Sequence, residues 1–270
     1  MGFGFGVNEL LPKARGGGQL KMGLVRLREE EWLQPNPDLA GRRKGFAEWP
    51  EGVQITPQSD APGRELAAML GVPIAFDQAA LPQVAHHTHE DLCLLTQSTS
   101  GEPYRLIGAA VAWPTDWHPK DKLGLTLRAL HAPITGYEEQ LATGVDRFMS
   151  TLRPGLIFGR CNWFIAPTPE RRWLAEGDAQ DQFGHVTPEN AGETLFVRTE
   201  RQTLRRLPET GAILFTIGVY VEPLANLTAE NARKLSQAVQ TLIDGEGDRR
   251  GALSYAAALN EFAHQKVPTC

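Results

Sequence analysis

Paired cysteines are missing. The chain of 270 residues has three, Cys93, Cys161 and Cys270. They form no CxxC motif and no even-numbered set, which argues against a disulfide framework and a structural zinc site and fits a reducing compartment. Long apolar runs are missing too: nothing approaches the ~20 residues of a membrane span. The opening "MGFGFGVNELLPKARGGGQLKMG" lacks the apolar run of a secretory signal and is expected to be a flexible leader, ordered in part at best. The net charge is -5, and basic residues are scattered except at Arg171-Arg172 and Arg201 to Arg206. No basic stripe offers itself to a nucleic-acid backbone. The expectation is a cytoplasmic protein with neither nucleic acid nor a membrane as partner.

The common catalytic signatures are also absent. There is no GxGxxG after a strand, no GxxxxGK[ST], no HExxH and no GxSxG, so nucleotide, zinc-protease and serine-hydrolase chemistry have no footing. "GFGFG" and "GGG" precede no strand-to-helix unit, which a phosphate loop requires. No internal repeat and no long low-complexity segment occurs.

What is present has a clear order. From Lys21 to about Ala85 the text is broken by Pro35, Pro37, Pro50, Pro57, Pro62, Pro73 and Pro82, leaving room for short elements such as a helix over Gly63 to Leu70. "HEDLCLLTQ" and "YRLIGAAVAWP", separated by "STSGEP", predict a hairpin. Leu123, Leu127, Leu130 and Ile134, then Leu141, Val145, Phe148, Met149 and Leu152 recur at helical spacing, divided by Pro133 and Gly136. Strands are predicted again at "GLIFGRCNWFIAP", "ETLFVRTERQTLRRLP" and "GAILFTIGVYVEPL", the last two joined by a turn at Pro208 to Gly211. Thr228 to Ala263 reads as two helices, Thr228 being an N-cap and "DGEGDRRG" the break. Two strands, a helical middle and three antiparallel strands is the order of a PAS domain. The expected fold is α+β: a PAS-like five-stranded antiparallel sheet with helices on one face. Residues 1–85 would form an N-terminal arm with short helices, 86–225 the PAS-like domain and 226–270 a C-terminal helical extension.

Several side chains carry possible chemistry. His86, His87 and His89 have spacings a metal could use but no partner motif, and read as surface or turn residues; His118 and His185 read as exposed. His131 ends an apolar helical stretch before Pro133. It is either a core histidine with its ring nitrogens satisfied by backbone or an axial ligand to heme iron, which a neutral imidazole suits. In the strand "ERQTLRRLP", Arg201, Thr203 and Arg205 share one side, and Glu200, Gln202, Leu204 and Arg206 the other. The arginines are either ion-paired on a solvated sheet edge or an anion site, since guanidinium forks bind carboxylates such as heme propionates. Arg160 is a further candidate. Trp163 either caps an apolar pocket and attracts an alkylammonium or is a core tryptophan.

Together "MGLVRLREEEWL", "EDLCLL", "AAVAWPTDWHPKDKLGLTLRALHAPITGY", "GRCNWFI" and "ERQTLRRLPETGAILFTI" resemble, in order, the heme-dependent oxidative N-demethylase alpha-subunit family over roughly residues 21 to 225. The resemblance implies a PAS-like sheet holding heme b, with oxygen activated at iron to remove a methyl group from a small secondary amine such as dimethylamine, giving formaldehyde. It implies partner subunits that carry NADPH-derived electrons through flavin and an iron–sulfur centre, for which this chain has no cysteine set. It points to His131, in "LHAP", as the axial ligand, to Arg160, Arg201, Arg205 and Arg206 for propionates or the substrate pocket, and to Gln202 and Trp163 for shaping that pocket. A protonated amine calls for an acid; Glu90, Asp91 and Glu200 lie nearest the matched motifs. Related chains tend to have an arginine after "LFTI", where this one has Gly218. A non-catalytic heme-binding sensor or a scaffold is the alternative.

Overall fold

The structure, a computed structural model, describes residues 2–14, 20–99, 101–175, 177–242 and 245–266. Strands form where the apolar runs predict them. β1 (Val25–Leu27) and β2 (Val53–Ile55) precede the expected hairpin, β3 (Asp91–Thr96) and β4 (Arg105–Ala110); β5 (Ile157–Ala166), β6 (Phe196–Arg206) and β7 (Ile213–Pro223) follow. The seven form one sheet in the order β1-β5-β6-β7-β3-β4-β2, with antiparallel pairing of β1 to β5, β2 to β4, and β3 to both β4 and β7. The fold is α+β as expected, but five strands were expected and the described residues form seven. The proline-broken stretch supplies both extra strands, one to each edge. Pro50 and Pro57 keep β2 short, because proline cannot donate to a ladder. β6 lies inside the sheet between β5 and β7, so its arginines are not on a solvated sheet edge.

The helices are α1 (Val7–Leu10), α2 (Leu39–Glu48), α3 (Asp60–Leu70), α4 (Ala80–Ala85), α5 (Leu127–His131), α6 (Thr143–Thr151), α7 (Ala179–Phe183), α8 (Ala191–Thr194), α9 (Ala229–Gln240), α10 (Glu246–Arg249) and α11 (Ala252–Gln265). A π-helical turn over Glu138–Ala142 runs into α6. Among the described residues no helix is long and apolar enough to cross a membrane.

The chain divides into two compact units that do not follow the linear partition read from the sequence: Met1–Gly23, Arg160–Arg201 and Val219–Cys270 form the first, Leu24–Gly159 and Gln202–Gly218 the second. In the second unit, Leu127 of α5 and Met149 of α6, with Leu152, pack on Leu95, Leu204 and Ile213. A register shift between Leu94 and Leu95 brings Leu106 onto the side of Ala109 and Cys93, beneath Leu130 of α5. The opposite face is covered by α3 and α4. There a Cβ on Gly108 would lie 2.7 Å from the Ser59 Cβ and 3.1 Å from Leu81, so the missing side chain is what admits these helices. Helices therefore cover both faces of this part of the sheet, where one was expected. A Thr203–Thr216 hydroxyl pair at 2.6 Å sets the side of β6 that Thr203 shares with Arg205. Alternation puts Gln202, Leu204 and Arg206 on the α5–α6 side.

The core of the first unit gathers Trp163 and Ile165 of β5, Val197 of β6, Leu235 of α9, and Tyr255 and Leu259 of α11, together with Val7 and Leu11. The predicted N-cap is present: Thr228 Oγ1 accepts from Asn231 N at 3.2 Å. The opening segment departs from expectation. Its residues 2–14 are ordered rather than a flexible leader, with Phe3, Val7 and Leu10 buried. Asn8 Oδ1 accepts from Thr228 N at 3.0 Å, and Asn8 Nδ2 donates to Asn226 O at 3.0 Å. Gly16 to Gly18 lie outside the described residues.

Candidate functional site

α5 is a short helix with defined ends. Thr126 caps it by accepting from Ala129 N at 3.3 Å, and Pro133 prevents its continuation. His131, its last residue, is half-buried. Nδ1 donates to Leu127 O at 2.8 Å, and the ring stacks on Tyr137 with centroids 4.5 Å apart and planes 11° from parallel. In a neutral imidazole, a proton on Nδ1 makes Nε2 the lone-pair nitrogen. The core-histidine reading is met in part, since a backbone carbonyl satisfies one ring nitrogen.

The arginines divide by face and by unit. Arg206 points inward and is committed to the fold. Nε donates to Leu152 O at 2.6 Å, Nη1 to Gly211 O at 2.6 Å, and Nη2 to Met149 O at 2.6 Å and to the Tyr104 hydroxyl at 2.7 Å. A fork so engaged ties the end of α6 to the β6–β7 turn. Arg206→Ala is expected to lower stability by about 2–3 kcal/mol, measured by denaturant unfolding, because it strips partners from several sequestered carbonyls. Arg206→Lys should recover only part, lacking the planar fork.

Arg205 lies on the other side of β6. It pairs with Glu29 at 2.5 Å, its guanidinium sits 4.2 Å over the Trp32 ring, and its Nε is buried without an acceptor. His131 and Arg205 are thus not brought together. Arg201 belongs to the first unit and is fully buried there. Its Nε donates to Gly4 O at 3.0 Å, with the Phe5 and Phe3 rings 4.4 and 5.1 Å from its guanidinium. "GFGFG" is therefore an aromatic cover for a buried cation, a role with no local sequence signal. Arg198, equally buried and not singled out in the sequence, donates to Glu170 O at 3.4 Å.

The remaining candidates also separate. Arg160 is half-buried on β5, while Glu200 is buried on β6, both in the first unit. Near them, burial first and then the Glu200 charge push the Cys161 thiol up to about 12, against the opposing pull of Arg160, Arg201 and Lys13. Cys161 thus stays a protonated thiol at neutral pH. Trp163 takes the core position, its carbonyl accepting from Arg250 Nη1 at 2.6 Å and its ring facing that guanidinium at 4.9 Å. Gln202 is half-buried in the second unit, and Gly218 is buried in β7.

Asp91 is committed elsewhere: it pairs with Arg42 at 2.6 Å and accepts from Ala112 N and Trp113 N. Glu90 accepts from Gln34 N at 2.8 Å. Of the histidine cluster, His87 is exposed as expected and His86 is half-buried against Phe46, but His89 is buried, contrary to a surface reading. Burial, with Arg42, His87 and Arg43 nearby, holds the His86 pKa below its ordinary value. His185 is exposed as expected; His118 is half-buried, with Nδ1 sequestered. Among the described residues no three His, Cys, Asp or Glu side chains converge on a metal position.

A cleft of about 590 Å³ in the second unit is lined by polar residues, among them Thr56, Gln58, Gln97 and Arg105, together with apolar ones such as Leu106 and Ile107, and by none of the candidates above. On the α5–α6 side the residue types a heme site uses, an imidazole and apolar side chains, are present as His131 and the packed layer of Leu127, Met149, Leu152, Leu204 and Ile213.

The model of one protein family, described as haem-dependent oxidative N-demethylase, alpha subunit-like, matches residues 50–259. The match covers more than half of the chain and includes α5, β6 and β7. The chain belongs to that family.

Proposed function

We propose that this member of the family is the heme-binding oxygenase subunit of an oxidative N-demethylase, acting on a small secondary amine of the dimethylamine type and releasing formaldehyde. The family match carries the reading; within the second unit, the imidazole of His131, donating from Nδ1 to Leu127 O, supports it. Heme b, when bound, supplies an iron at which oxygen is activated to oxidise an N-methyl group. His131 is the residue that would hold the iron, through Nε2. The apolar layer under α5 and α6 excludes bulk water. Gln202, on the same side of β6, brings an amide that can orient an amine. Arg206 holds that wall in place.

One oxygen atom leaves in formaldehyde and the other in water, so the reaction draws electrons from a donor. We assign these to partner subunits that carry flavin and an iron–sulfur centre and oxidise NADPH, consistent with an alpha-subunit role.

Heme titration of the purified protein, followed by absorption, is expected to give a saturable Soret band. Oxygen, a chemical reductant and dimethylamine should then yield formaldehyde. Heme binding without formaldehyde from any secondary amine would favour the sensor alternative, and no Soret band would overturn the proposal.

A further inference from the structure

The cleft of about 590 Å³ lies where β4 changes partners. β2 pairs with β4 only from Gly108 to Ala110. One residue earlier, Thr56 donates to Ile107 O from N at 3.0 Å and from Oγ1 at 2.7 Å. Residues 124–126 then take over: Leu106 N donates to Leu125 O at 3.1 Å, Gly124 N donates to Leu106 O at 2.8 Å, and Arg105 bridges to Thr126. The register shift falls at the same point. Leu94 lies opposite Gly108 and Leu95 opposite Leu106, so Ile107 is an inserted residue with no counterpart on β3. Such bulges re-aim side chains and are over-represented next to active sites. Thr56, Ile107, Arg105 and Gly124 all line the cleft, which the change of partner therefore opens.

The lining has a definite chemistry. Among the described residues that form it, Arg105 is the one that bears a charge. Its Nη1 donates to Gly124 O at 3.1 Å, which holds the guanidinium at the wall. A guanidinium has five N–H donors, so one such bond leaves a fork for an incoming carboxylate. Gln58 and Ser98 add an exposed amide and an exposed hydroxyl, while Ile107 and Ala212 are buried and apolar. A single cation suits a single carboxylate, and a dianion would find no second one. The volume falls within the roughly 300–1,000 Å³ of small-molecule sites.

We propose that this cleft binds a small hydroxylated monocarboxylate, its carboxylate on the Arg105 fork and its hydroxyls on Gln58 and Ser98. None of the residues proposed for heme or amine lines it, so the two sites stand or fall separately.

Proton–nitrogen NMR of the full chain, titrated with gluconate, lactate, sorbitol or inorganic phosphate, tests this. Gluconate is expected to shift the Ser98, Ile107 and Gly124 amides saturably, and lactate to shift them more weakly. Sorbitol, a similar chain of hydroxyls without the carboxylate, should leave them in place. Arg105→Gln should keep the wild-type Tm, because the side chain is exposed, and bind gluconate roughly 10–100-fold more weakly, the value of a hydrogen bond to a charged group. Ala61→Phe, which narrows the cleft from α3 and leaves Arg105 intact, should abolish the shifts and serves if Arg105→Gln does not fold. The absence of saturable shifts with both gluconate and lactate overturns the proposal. So does wild-type affinity in either folded variant. Sorbitol or phosphate binding as tightly as gluconate would also overturn it, removing the carboxylate from the recognition.

Discussion

Arg42→Ala is expected to be among the most destabilising single substitutions, lowering unfolding free energy by about 3–5 kcal/mol and Tm by on the order of 10 °C. Arg42 and Asp91 are both almost wholly sequestered and meet at 2.6 Å. The guanidinium also donates to Ala85 O at 3.0 Å and to Glu90 O at 2.7 Å, and lies 4.5 Å over the Phe46 ring. Removing it leaves a carboxylate in a low-dielectric interior and two carbonyls without these donors. The main-chain donors Ala112 N and Trp113 N remain and keep the loss from being larger. An exposed pair gives the contrast: Lys234–Glu230 at 2.6 Å is open to water on both sides, so Lys234→Ala should leave Tm almost unchanged. Calorimetry of the two variants checks this. Equal Tm values would mean that the buried pair contributes no more than a surface one.

His131→Ala is expected to abolish heme binding with the fold retained. The side chain is half-buried and its hydrogen bond is to the preceding turn of its own short helix, so truncation leaves little strain. On the proposed function, loss of the residue that would hold the iron should cost more than the roughly 10–100-fold attached to loss of an outer partner. The Soret band should vanish at micromolar heme while far-ultraviolet circular dichroism is unchanged. His185→Ala, at an exposed position, serves as the control. A His131→Ala protein that binds heme as wild type does would remove His131 from the iron and send the search to another ligand.

Much of this fold was legible because its long elements carry their own period. β5 alternates, β6 and β7 are long runs joined by a turn, α9 starts at a threonine that caps it, and the β3–β4 hairpin is framed by turn residues. β1 and β2 were not legible, since three-residue strands are too short to show alternation and owe their existence to the strands they join. Partners distant in sequence were not legible either. Alternation separates Arg205 from Arg206 correctly, but says nothing of what each meets: Trp32 and Glu29 for one, the ends of α6 for the other. The same limit hid Arg42 beside Asp91 and the two phenylalanines over Arg201. His131 could be singled out by its place before a proline. Tyr137 could not, because it lies beyond the Pro133 and Gly136 breaks, where helical spacing no longer predicts neighbours.

The interleaving of the two units sets an order of completion on the growing chain. Every stretch of the second unit has been made once synthesis reaches Gly218. The first unit is then still missing α9 and α11, whose Leu235, Tyr255 and Leu259 close its core around Val7 and Leu11. Val7 and Leu11, made before every stretch of the second unit, are therefore buried only once α9 and α11 have been made, and Phe3 and Phe5 wait for Arg201. During that interval these residues present apolar side chains to the cell, the kind of transient surface that leads to aggregation and that chaperones guard against. A stalled or truncated chain would keep that surface exposed however well its second unit had formed.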